Sequence, residues 1–255
     1  MTRCSVAVIG GTGSSELLRG LCREERRIRT ESGAVDVALA RFGPTSFAFR
    51  HRHGPDHTVP PHAIRHDRHM HALKHMGVRR ILAINAVGSL RSDLSVGSVV
   101  LLSDFIALHP TVEAGVERRT RHADLSAPYC PILREQILSA MSHRTDFVSS
   151  GVMFGVTGPR YETPAEVRLF GTMGGDVVGM TGVGEAIAAR EAGHCYAALA
   201  CVTNQGVGLS ASPVAHGAVT AAMQQILHTL KDDLLEAVRR VAGLDQDQAC
   251  CWPGY

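Results

Sequence analysis

The sequence predicts an α/β fold in which one central, mixed but largely parallel, twisted sheet is flanked by helices. Short apolar segments alternate with helix-like segments along the chain, which is typical of strands joined by crossover helices. Several apolar segments also end in glycine or small polar residues, as strands do before a turn. We expect strands at 5–9, 80–86, 97–107, 150–156, 175–179 and 195–203, a hairpin at 34–49, and helices at 66–77, 131–143, 164–173, 183–192 and 214–241.

The organisation of the chain predicts one domain. Its 255 residues are enough for a single substantial core, and no internal repeat, low-complexity segment or linker divides them. We expect the domain at 1–245 and a flexible, non-catalytic tail at 246–255, which holds the adjacent Cys250 and Cys251.

Composition argues against several classes of partner. Hydrophobic residues make up 45% of the chain and charged residues 20%, and the net charge of +2 is too small to indicate a nucleic-acid partner. No apolar run reaches the roughly 18 residues of a membrane span, and the N-terminus has no signal-peptide pattern. The seven cysteines are odd in number and irregularly spaced, which favours reduced thiols and a cytoplasmic protein.

Small or polar residues stand at the carboxyl ends of the predicted strands. These ends read Gly-Thr at 11–12, Asn-Ala-Val-Gly at 85–88, Met-Thr at 180–181 and Thr-Asn at 203–204. Because ligands in open α/β sheets bind beyond the carboxyl ends of strands, we expect these segments to share one crevice. The small residues at 85–88 would let a ligand approach the backbone, although they are equally compatible with an ordinary turn.

The segment Gly10-Gly11-Thr12-Gly13 has three interpretations. Its backbone N–H groups and the Thr12 hydroxyl could hold an anion, or it could be a plain tight turn. It could also begin a dinucleotide site, as in a non-catalytic nucleotide-binding protein. That pattern needs a further glycine where the chain has Glu16, and no Gly-Lys-Ser/Thr follows to complete a P-loop. We therefore favour an anion site or a turn.

Eight of the 14 histidines lie between His51 and His75, and the pairs His62/His66 and His71/His75 have i, i+4 spacing. A metal site, as in a metal hydrolase, is one interpretation of this spacing. No carboxylate or cysteine completes a recognisable ligand set, and neighbouring arginines would repel a cation. The pair Arg52-His53 suits phosphate better, because guanidinium binds phosphate through two hydrogen bonds. We expect no metal, and we expect the other histidines at the surface or at an interface.

Met180-Thr181 lies where a strand is predicted to run into a helix. The N–H groups of a helix start and the Thr181 hydroxyl would favour an anion, although a methionine in a buried turn is more often core filling. Glu162 and Asn204 could read a purine base, or they could be a helix-capping acid and a turn residue. From the residues alone we expect Glu185 to be structural.

Several motifs follow one another along the chain: IGGTG, RHG followed by HTVPPH, NAVGSL, GPRYETPAE, VVGMTGVGEAIAAREAG and CVTNQ. With these motifs the chain, from Val6 to about Val238, resembles the trimeric purine nucleoside phosphorylase family and is most similar to its methylthioinosine phosphorylase branch. The resemblance implies a phosphorylase-type α/β fold, a homotrimer, and reversible attack of inorganic phosphate on the N-glycosidic bond. It implies phosphate as the co-substrate and no metal or organic cofactor.

The resemblance also implies roles for individual residues at the phosphate and the ribose. Met180 would contact the ribose. The residues that would hold phosphate come from several strand ends: Thr12, Arg52, His53, the Ala86 backbone and Thr181. Three residues would take part directly in catalysis: Arg52, Thr181 and Asn204.

The base and the 5′ group have their own implied contacts. Tyr161 would stack near the base, and Glu162 would accept a hydrogen bond from the N1–H edge of a 6-oxopurine. Asn204 would hydrogen-bond around N7 and O6. His216 would lie near the 5′ group, and His122 would reach the 5′ side of a neighbouring subunit's site.

Departures from the adenine-selective methylthioadenosine phosphorylases favour a particular base. Those enzymes have Ser where this chain has Glu162, and Asp-x-Asp where it has Asn204-Gln205-Gly206. Because Asp accepts from a 6-amino group whereas Asn donates to a 6-oxo group, the resemblance implies inosine, guanosine or 5′-methylthioinosine as substrate. A methylthioadenosine phosphorylase acting on a 6-aminopurine is the alternative. His216 favours a 5′-hydroxyl group, whereas the motifs taken together favour a 5′-methylthio group. Gly184 stands where the family has proline.

Overall fold

Nine strands form one mixed sheet in the described part of the chain. The computed structural model describes residues 4–54, 56–108, 122–210 and 213–245. The strands are β1 (Val6–Gly10), β2 (Cys22–Thr30), β3 (Gly33–Phe42), β4 (Thr45–His51), β5 (Arg80–Ser89), β6 (Val99–Ala107), β7 (Phe147–Gly155), β8 (Val177–Gly179) and β9 (Cys195–Gln205). The helices are α1 (His66–His75), α2 (Pro131–Met141), α3 (Pro164–Thr172), α4 (Gly182–Glu191) and α5 (His216–Ala242). The predicted α/β fold is confirmed, and each predicted strand and helix has a counterpart.

The sheet has the order β2-β3-β4-β1-β5-β8-β7-β6-β9, and β5 also pairs with β9. This additional pairing closes β5, β8, β7, β6 and β9 into a ring, from which β1, β4, β3 and β2 extend as an open sheet. β1 pairs in parallel with β4 and β5, β5 with β9, and β7 with β6 and β8. The pairs β2–β3, β3–β4, β5–β8 and β6–β9 are antiparallel, so the sheet is mixed, as predicted.

Strand β2 was not predicted. Its sequence, CREERRIRT, is strongly charged and has no apolar alternation. The strand lies at the edge of the sheet, where charged side chains are tolerated and discourage pairing with another chain. Apolar alternation therefore does not identify this strand. Backbone pairing with β3 holds it in place.

The core surrounds β1, β5 and β9. Their residues are buried almost without interruption, which is typical of strands covered on both faces. Helix α5 packs against β9 and places apolar side chains at spacings of three and four residues against the core. Among them, Met223, Leu227 and Leu230 are each 0% exposed. Burial of such a side chain contributes about 1.5–3 kcal/mol.

Helix α3 begins with a capping box that fixes the segment before it. The Thr163 hydroxyl accepts from the Glu166 N–H at 3.2 Å, and the Glu166 carboxylate accepts from the Thr163 N–H at 2.8 Å. Arg160 donates to both oxygens of the same carboxylate at 2.7 Å. Proline occupies the first helical position, as predicted. Tyr161 and Glu162 lie between these anchors.

No helix in the described ranges has both the length and the apolar character needed to cross a bilayer. The predicted tail at 246–255, with its two cysteines, lies outside the described residues.

Candidate active site

A cavity of about 320 Å³ lies where β1, β5, β8 and β9 end. The strand register brings these ends together, because Gly10 pairs with Ile84 while Gly88 pairs with both Val178 and Asn204. The predicted site residues that line the cavity are Thr12, Arg52, His53, Ala86, Tyr161, Glu162, Met180, Thr181, Asn204 and His216. The shared crevice expected from the strand ends is therefore confirmed.

His122 does not line this cavity. Its side chain is exposed, and it directly follows 109–121, which lie outside the described residues. Its expected position in the site of a neighbouring subunit stays a prediction.

Arg52, which directly follows β4, is held in place by α4 and β5. Its Nε donates to Glu185 Oε2 at 2.7 Å, and its Nη2 donates to Glu185 Oε1 at 2.8 Å. Its Nη1 donates to the Ile84 carbonyl at 2.9 Å. These bonds engage three of the five guanidinium N–H groups, so two are left for an anion in the cavity. The Tyr196 hydroxyl in turn donates to Glu185 Oε1 at 2.8 Å.

The Arg52–Glu185 pair is ionised although it is buried. The side chains are 1% and 0% exposed. Burial acts to raise the pKa of Glu185, but Arg52 holds it below the usual value. Burial likewise acts to lower the pKa of Arg52, but Glu185 raises it above the usual value. The expectation that Glu185 is merely structural is therefore incomplete, because its carboxylate directly contacts a predicted phosphate ligand.

The glycine segment packs against Arg52. A Cβ on Gly11 would lie 2.7 Å from Arg52 Nη1, and one on Gly10 would lie 2.3 Å from the Cβ of Ser14. Gly13 has a φ of 71°, which glycine adopts without strain. A short 3₁₀ helix, Ser14–Leu18, follows the loop instead of the α-helix that opens a dinucleotide site. The dinucleotide interpretation is therefore wrong, and the loop is a tight turn beside a cation.

His53 lies next to Arg52 with a defined tautomer. Its Nδ1 is 2.8 Å from the Val59 carbonyl oxygen, and because a carbonyl accepts hydrogen bonds, Nδ1 carries the proton. Its ring stacks on that of His57, with centroids 4.2 Å apart. Burial, together with the charge of Arg52, lowers the pKa of His53 to about 4. The ring is therefore neutral at physiological pH.

The start of α4 faces the cavity. Thr181 is the N-cap residue of this helix, and its side chain makes no capping hydrogen bond, so the hydroxyl is available to a ligand. The free N–H groups of the first turn and the helix dipole favour an anion at this position. The strand-to-helix junction predicted at Met180-Thr181 is confirmed by β8 and α4.

Helix α4 forms without the proline that the resembled family has at position 184. A Cβ on Gly184 would lie 3.2 Å from Cδ2 of His66, so the His66 ring fills the space beside the helix. Burial lowers the pKa of His66 to about 4. The neutral His66 ring thus packs against the first turn of α4, in the space beside Gly184.

The expectation that the remaining histidines lie at the surface or an interface is wrong for part of α1. His69 is 5% exposed, and its Nε2 accepts a hydrogen bond from Arg50 Nη2 at 3.0 Å. The pairing of these residues across elements cannot be read from spacing along the chain. Among the described residues, no group of three or more His, Cys, Asp or Glu side chains could hold a metal ion.

Asn204 lies beside β5, away from the Arg52 contact. Its Nδ2 donates to the Gln205 carbonyl at 3.0 Å, and its Oδ1 accepts from the Thr203 hydroxyl at 3.2 Å. One amide N–H and one acceptor position are left for a ligand. A Cβ on Gly88 would lie 3.1 Å from Nδ2, so the glycine makes room for the amide.

Arg52 and Asn204 contact β5 at different positions along the strand. Arg52 contacts the strand at Ile84 and Asn204 contacts it at Gly88. Ile84 and Gly88 are four residue steps apart, which is about 13 Å along an extended strand. The cavity therefore offers a cationic group at one position and an amide at another, with space between them for a sugar.

Glu162 is brought toward Asn204 by the packing of α3. A Cβ on Gly208 would lie 2.9 Å from the Cβ of Pro164, so the start of α3 lies against the loop after β9. Glu162 is 9% exposed. Burial raises its pKa, as does the nearby Glu166 carboxylate. A group held this way is a strong acceptor for an N–H donor inside the cavity.

Met180 lies close to the segment before Tyr161. A Cβ on Gly158, which has a φ of 63°, would lie 2.5 Å from Met180 Sδ. Glycine at this position therefore lets the methionine side chain lie along the wall of the cavity, between the strand ends and Tyr161.

The rim carries a histidine that sequence reasoning did not place in the site. The rings of His57 and His216 have centroids 5.9 Å apart, and both line the cavity. His57 has a φ of 54°, which is uncommon for a residue other than glycine. The HTVPPH motif, which begins at His57, was the available signal.

Comparison with known proteins agrees with this geometry. The family model described as the Phosphorylase superfamily matches residues 5–239. The chain belongs to this superfamily. Within it, a probable 6-oxopurine nucleoside phosphorylase of Moorella thermoacetica is 34% identical over 252 residues, which cover 96% of this chain and 95% of the relative.

Other superfamily members have related activities. A probable S-methyl-5′-thioinosine phosphorylase of Methanothermobacter thermautotrophicus is 36% identical, over 96% of this chain and 86% of its own. The solved structure of methylthioadenosine phosphorylase from Schistosoma mansoni in complex with adenine has a TM-score of 0.86 and 26% identity, over 95% of this chain and 93% of that one. The family resemblance inferred from the motifs is thus confirmed.

Proposed function

We propose that this protein is a purine nucleoside phosphorylase, a pentosyltransferase that cleaves the N-glycosidic bond of a 6-oxopurine nucleoside with inorganic phosphate. The products are the free base and ribose 1-phosphate, or 5-methylthioribose 1-phosphate. Relatives named for both substrate types support the assignment. The observation that carries it is one cavity with a fixed arginine at one position and an acceptor–amide pair, Glu162 and Asn204, elsewhere along its wall.

Phosphate would occupy the part of the cavity next to Arg52. Its ligands would be two guanidinium N–H groups, the hydroxyls of Thr12 and Thr181, the His53 ring and the Ala86 backbone, since all of these residues line the cavity. The ribose would lie against Met180, which lines the cavity next to Thr181. The base would then lie near Tyr161, Glu162 and Asn204.

Catalysis would come from positioning and electrostatics, without a protein nucleophile. As the glycosidic bond lengthens, positive charge grows on the ribose ring and negative charge on the purine. The phosphate anion held by Arg52 stabilises the first charge. The electron pair of the broken bond goes to N9, and its charge spreads over the purine. The free N–H of Asn204 would stabilise this charge by donating a hydrogen bond at N7 and O6.

The amide of Asn204 favours a 6-oxopurine over a 6-aminopurine. Its free N–H can donate to O6, whereas a 6-amino group would place two donors together. Glu162, whose carboxylate is buried, would accept from N1–H, which adenine lacks. Mismatch of such a buried group costs about 1–3 kcal/mol, enough to set selectivity.

We further propose a cytoplasmic homotrimer that uses phosphate without a metal or organic cofactor. The exposed rim at His57 and His216 supports a neighbouring subunit covering the 5′ side of the cavity, where His122 would contribute. The two rim imidazoles support a 5′-hydroxyl substrate, whereas the methylthioinosine relatives support a 5′-methylthio group. Light scattering of the purified protein tests the trimer.

A substrate panel tests the proposed function. Inosine, guanosine, adenosine, 5′-methylthioinosine and 5′-methylthioadenosine are each incubated with and without phosphate, and the released base is measured. We expect phosphate-dependent release of hypoxanthine or guanine and little release of adenine. Preferred release of adenine would instead establish the methylthioadenosine phosphorylase alternative. Base release that needs no phosphate would rule out phosphorolysis.

Gly11→Ala is expected to weaken phosphate binding while the chain still folds. The new methyl group would crowd Arg52 Nη1, which cannot move away because three hydrogen bonds hold the guanidinium. We expect the phosphate KM to rise on the order of 10-fold, as expected when a charge-assisted hydrogen bond is lost. Gly243→Ala is the matched control, since its Cβ would meet the nearest carbonyls of α5 at 3.5 Å. Equal phosphate KM values in both variants would contradict the placement of phosphate beside Gly11.

A further inference from the structure

A second cavity lies on the open part of the sheet, apart from the candidate active site. Its volume is about 560 Å³, and residues of β2, β3 and β4 line it together with Ser15 of the 3₁₀ helix. His51, at the end of β4, lines this cavity, whereas the next residue, Arg52, lines the active-site cavity. Among the described residues none lines both, so the proposed function leaves the second cavity without a role.

Arg50 lies in the wall of the second cavity, where two strands part. The pairing of β3 with β4 ends at Ala38 and Phe49, and Arg50 is the next residue of β4. Its Nη1 donates to the Asp36 carbonyl of β3 at 3.2 Å, and its Nη2 donates to His69 Nε2 of α1 at 3.0 Å. These two bonds fix the guanidinium beside the opening between the strands.

Within the described part of the chain, Arg50 forms no ion pair. It is 8% exposed, and its Nε–H has no acceptor there. Both of its partners are neutral, since one is a carbonyl and burial keeps the pKa of His69 well below its usual value. Burial lowers the pKa of Arg50 to about 10, so the group stays charged at neutral pH. A buried charge without a partner is costly, and an anion in the cavity would supply one.

The cavity is lined by three further arginines: Arg23, Arg26 and Arg27. Arg27 lies opposite Asp36 in the sheet, and its Nη1 is 3.6 Å from Asp36 Oδ1. Ion pairs as exposed as this one are weak, so Arg27 can turn to an anion. Because Arg50 contacts the carbonyl of the same Asp36, two guanidinium groups converge on one part of the cavity. Burial and the charges of Arg50 and Arg23 also lower the pKa of His51, as expected where positive charge is in excess.

The acceptors in the cavity restrict the kind of anion that fits. Glu25 and Asp36 contribute carboxylates, and Ser15 contributes a hydroxyl. Carboxylates repel a ligand that is anionic throughout, but they accept hydrogen bonds from hydroxyl groups. The volume is in the range of small-molecule sites and exceeds what one tetrahedral anion fills. A ligand that joins a single phosphate to a part rich in hydroxyl groups satisfies both the arginines and the carboxylates.

We propose that the second cavity binds a phosphomonoester of a sugar, free or as part of a nucleotide, with its phosphate at Arg50 and Arg27 and its hydroxyls at Glu25 and Ser15. Guanidinium groups bind phosphate through paired hydrogen bonds, and Arg50 keeps N–H groups beyond its two bonds. The ligand would join β2 to β4 and so fasten an edge strand that pairs only with β3 in the described sheet. None of these residues belongs to the active-site cavity, so binding here does not require the proposed phosphorolysis.

Calorimetric titration tests this binding in the full-length protein. Ribose 5-phosphate and inosine 5′-monophosphate are titrated, and ribose and inorganic phosphate serve as partial ligands. The titrations are repeated in a fixed excess of inorganic phosphate, which fills the anion position beside Arg52. We expect at least one ester to bind under both conditions, on the order of 10-fold or more above inorganic phosphate, and ribose not to bind. The tighter of the two esters identifies the free sugar phosphate or the nucleotide as the ligand. Ester binding that is absent, or that inorganic phosphate abolishes, would overturn the proposal.

Arg50→Met identifies the residue responsible. We expect the affinity for the ester to fall on the order of 10-fold or more, as when a charge-assisted hydrogen bond is lost. Arg134→Met is the matched control on α2. The Arg134 guanidinium also donates to a carbonyl, that of Ser149 at 3.2 Å, and its Nε likewise has no partner among the described residues, but it does not line the cavity. Equal affinities in the wild type and both variants would mean that the ester binds elsewhere.

A second variant and hydrogen exchange decide the matter if Arg50→Met does not fold. The Arg27 side chain is 66% exposed, so Arg27→Met leaves the core intact, and we expect it to weaken ester binding several-fold. In the wild-type protein, ribose 5-phosphate or the nucleotide should slow amide exchange in β2, because the ligand would fasten this edge strand. Unchanged affinity in Arg27→Met, together with unchanged exchange in β2, would refute binding in the second cavity.

Discussion

Glu185→Gln is expected to lower the free energy of unfolding by about 3–5 kcal/mol, because it leaves the buried Arg52 charge without an anionic partner. The two side chains are fully buried and share two hydrogen bonds of 2.7 and 2.8 Å. In the protein that still folds, the guanidinium loses its fixed orientation, so the phosphate KM should rise. Denaturant titration and steady-state kinetics with varied phosphate measure the two effects. Arg52→Ala should also raise the phosphate requirement, and it should destabilise the fold as well, because it leaves the buried Glu185 carboxylate without its cationic partner.

A triple variant separates the contribution to stability from the contribution to binding. Arg52→Met, Glu185→Leu and Tyr196→Phe together replace the buried polar group by apolar side chains of similar size. Replacement of a buried ion pair in this way is often neutral or stabilising, so the triple variant should regain much of the stability lost in Glu185→Gln. Phosphate binding should not return. A normal phosphate KM in the triple variant would show that Arg52 does not bind the anion.

Asn204→Asp is expected to shift the base preference toward 6-aminopurines. The carboxylate cannot donate to O6, so kcat/KM for inosine should fall by on the order of 10- to 100-fold, while that for adenosine falls less or rises. Asp at this position also loses the donor to the Gln205 carbonyl, which lies 3.0 Å from Nδ2. The ratio of the two kcat/KM values is the readout, because it does not depend on how much of the variant is folded.

Gln205→Glu is the matched control for this substitution. It makes the same change from amide to acid one residue later, at a side chain that donates to the Leu94 carbonyl and does not line the cavity. A shift in base preference confined to Asn204→Asp supports direct contact with the base. The same shift in both variants would mean that added negative charge causes it. No shift in either variant would refute the contact between Asn204 and the base.

The sequence predicts the strands of the core well because burial on both faces demands apolar residues. β5 and β9 show this in the runs RILAINA and CYAALACV. β2 escapes prediction since an edge strand needs neither an apolar face nor alternation. Its place in the sheet depends on backbone hydrogen bonds to β3, and such bonds leave no pattern of side chains.

The sequence predicts those site residues that lie at a strand end or at a helix start. Thr181 and Asn204 are of this kind, because the end of a strand can be read from local sequence. Pairings across elements are not predictable this way. Nothing local marks Glu185 as the partner of Arg52 or His69 as the partner of Arg50, since each pair joins separate elements. Proximity in space is the missing information.

The separation of Arg52 from Glu185 bears on how the protein is made. The partners are 133 residues apart. At about 5–20 residues per second, Arg52 is synthesised roughly 7–27 s before Glu185. Throughout that interval the nascent chain lacks the carboxylate that pairs with Arg52 in the folded protein. The anion site therefore cannot mature on the emerging N-terminal half, and binding competence arises only when α4 docks.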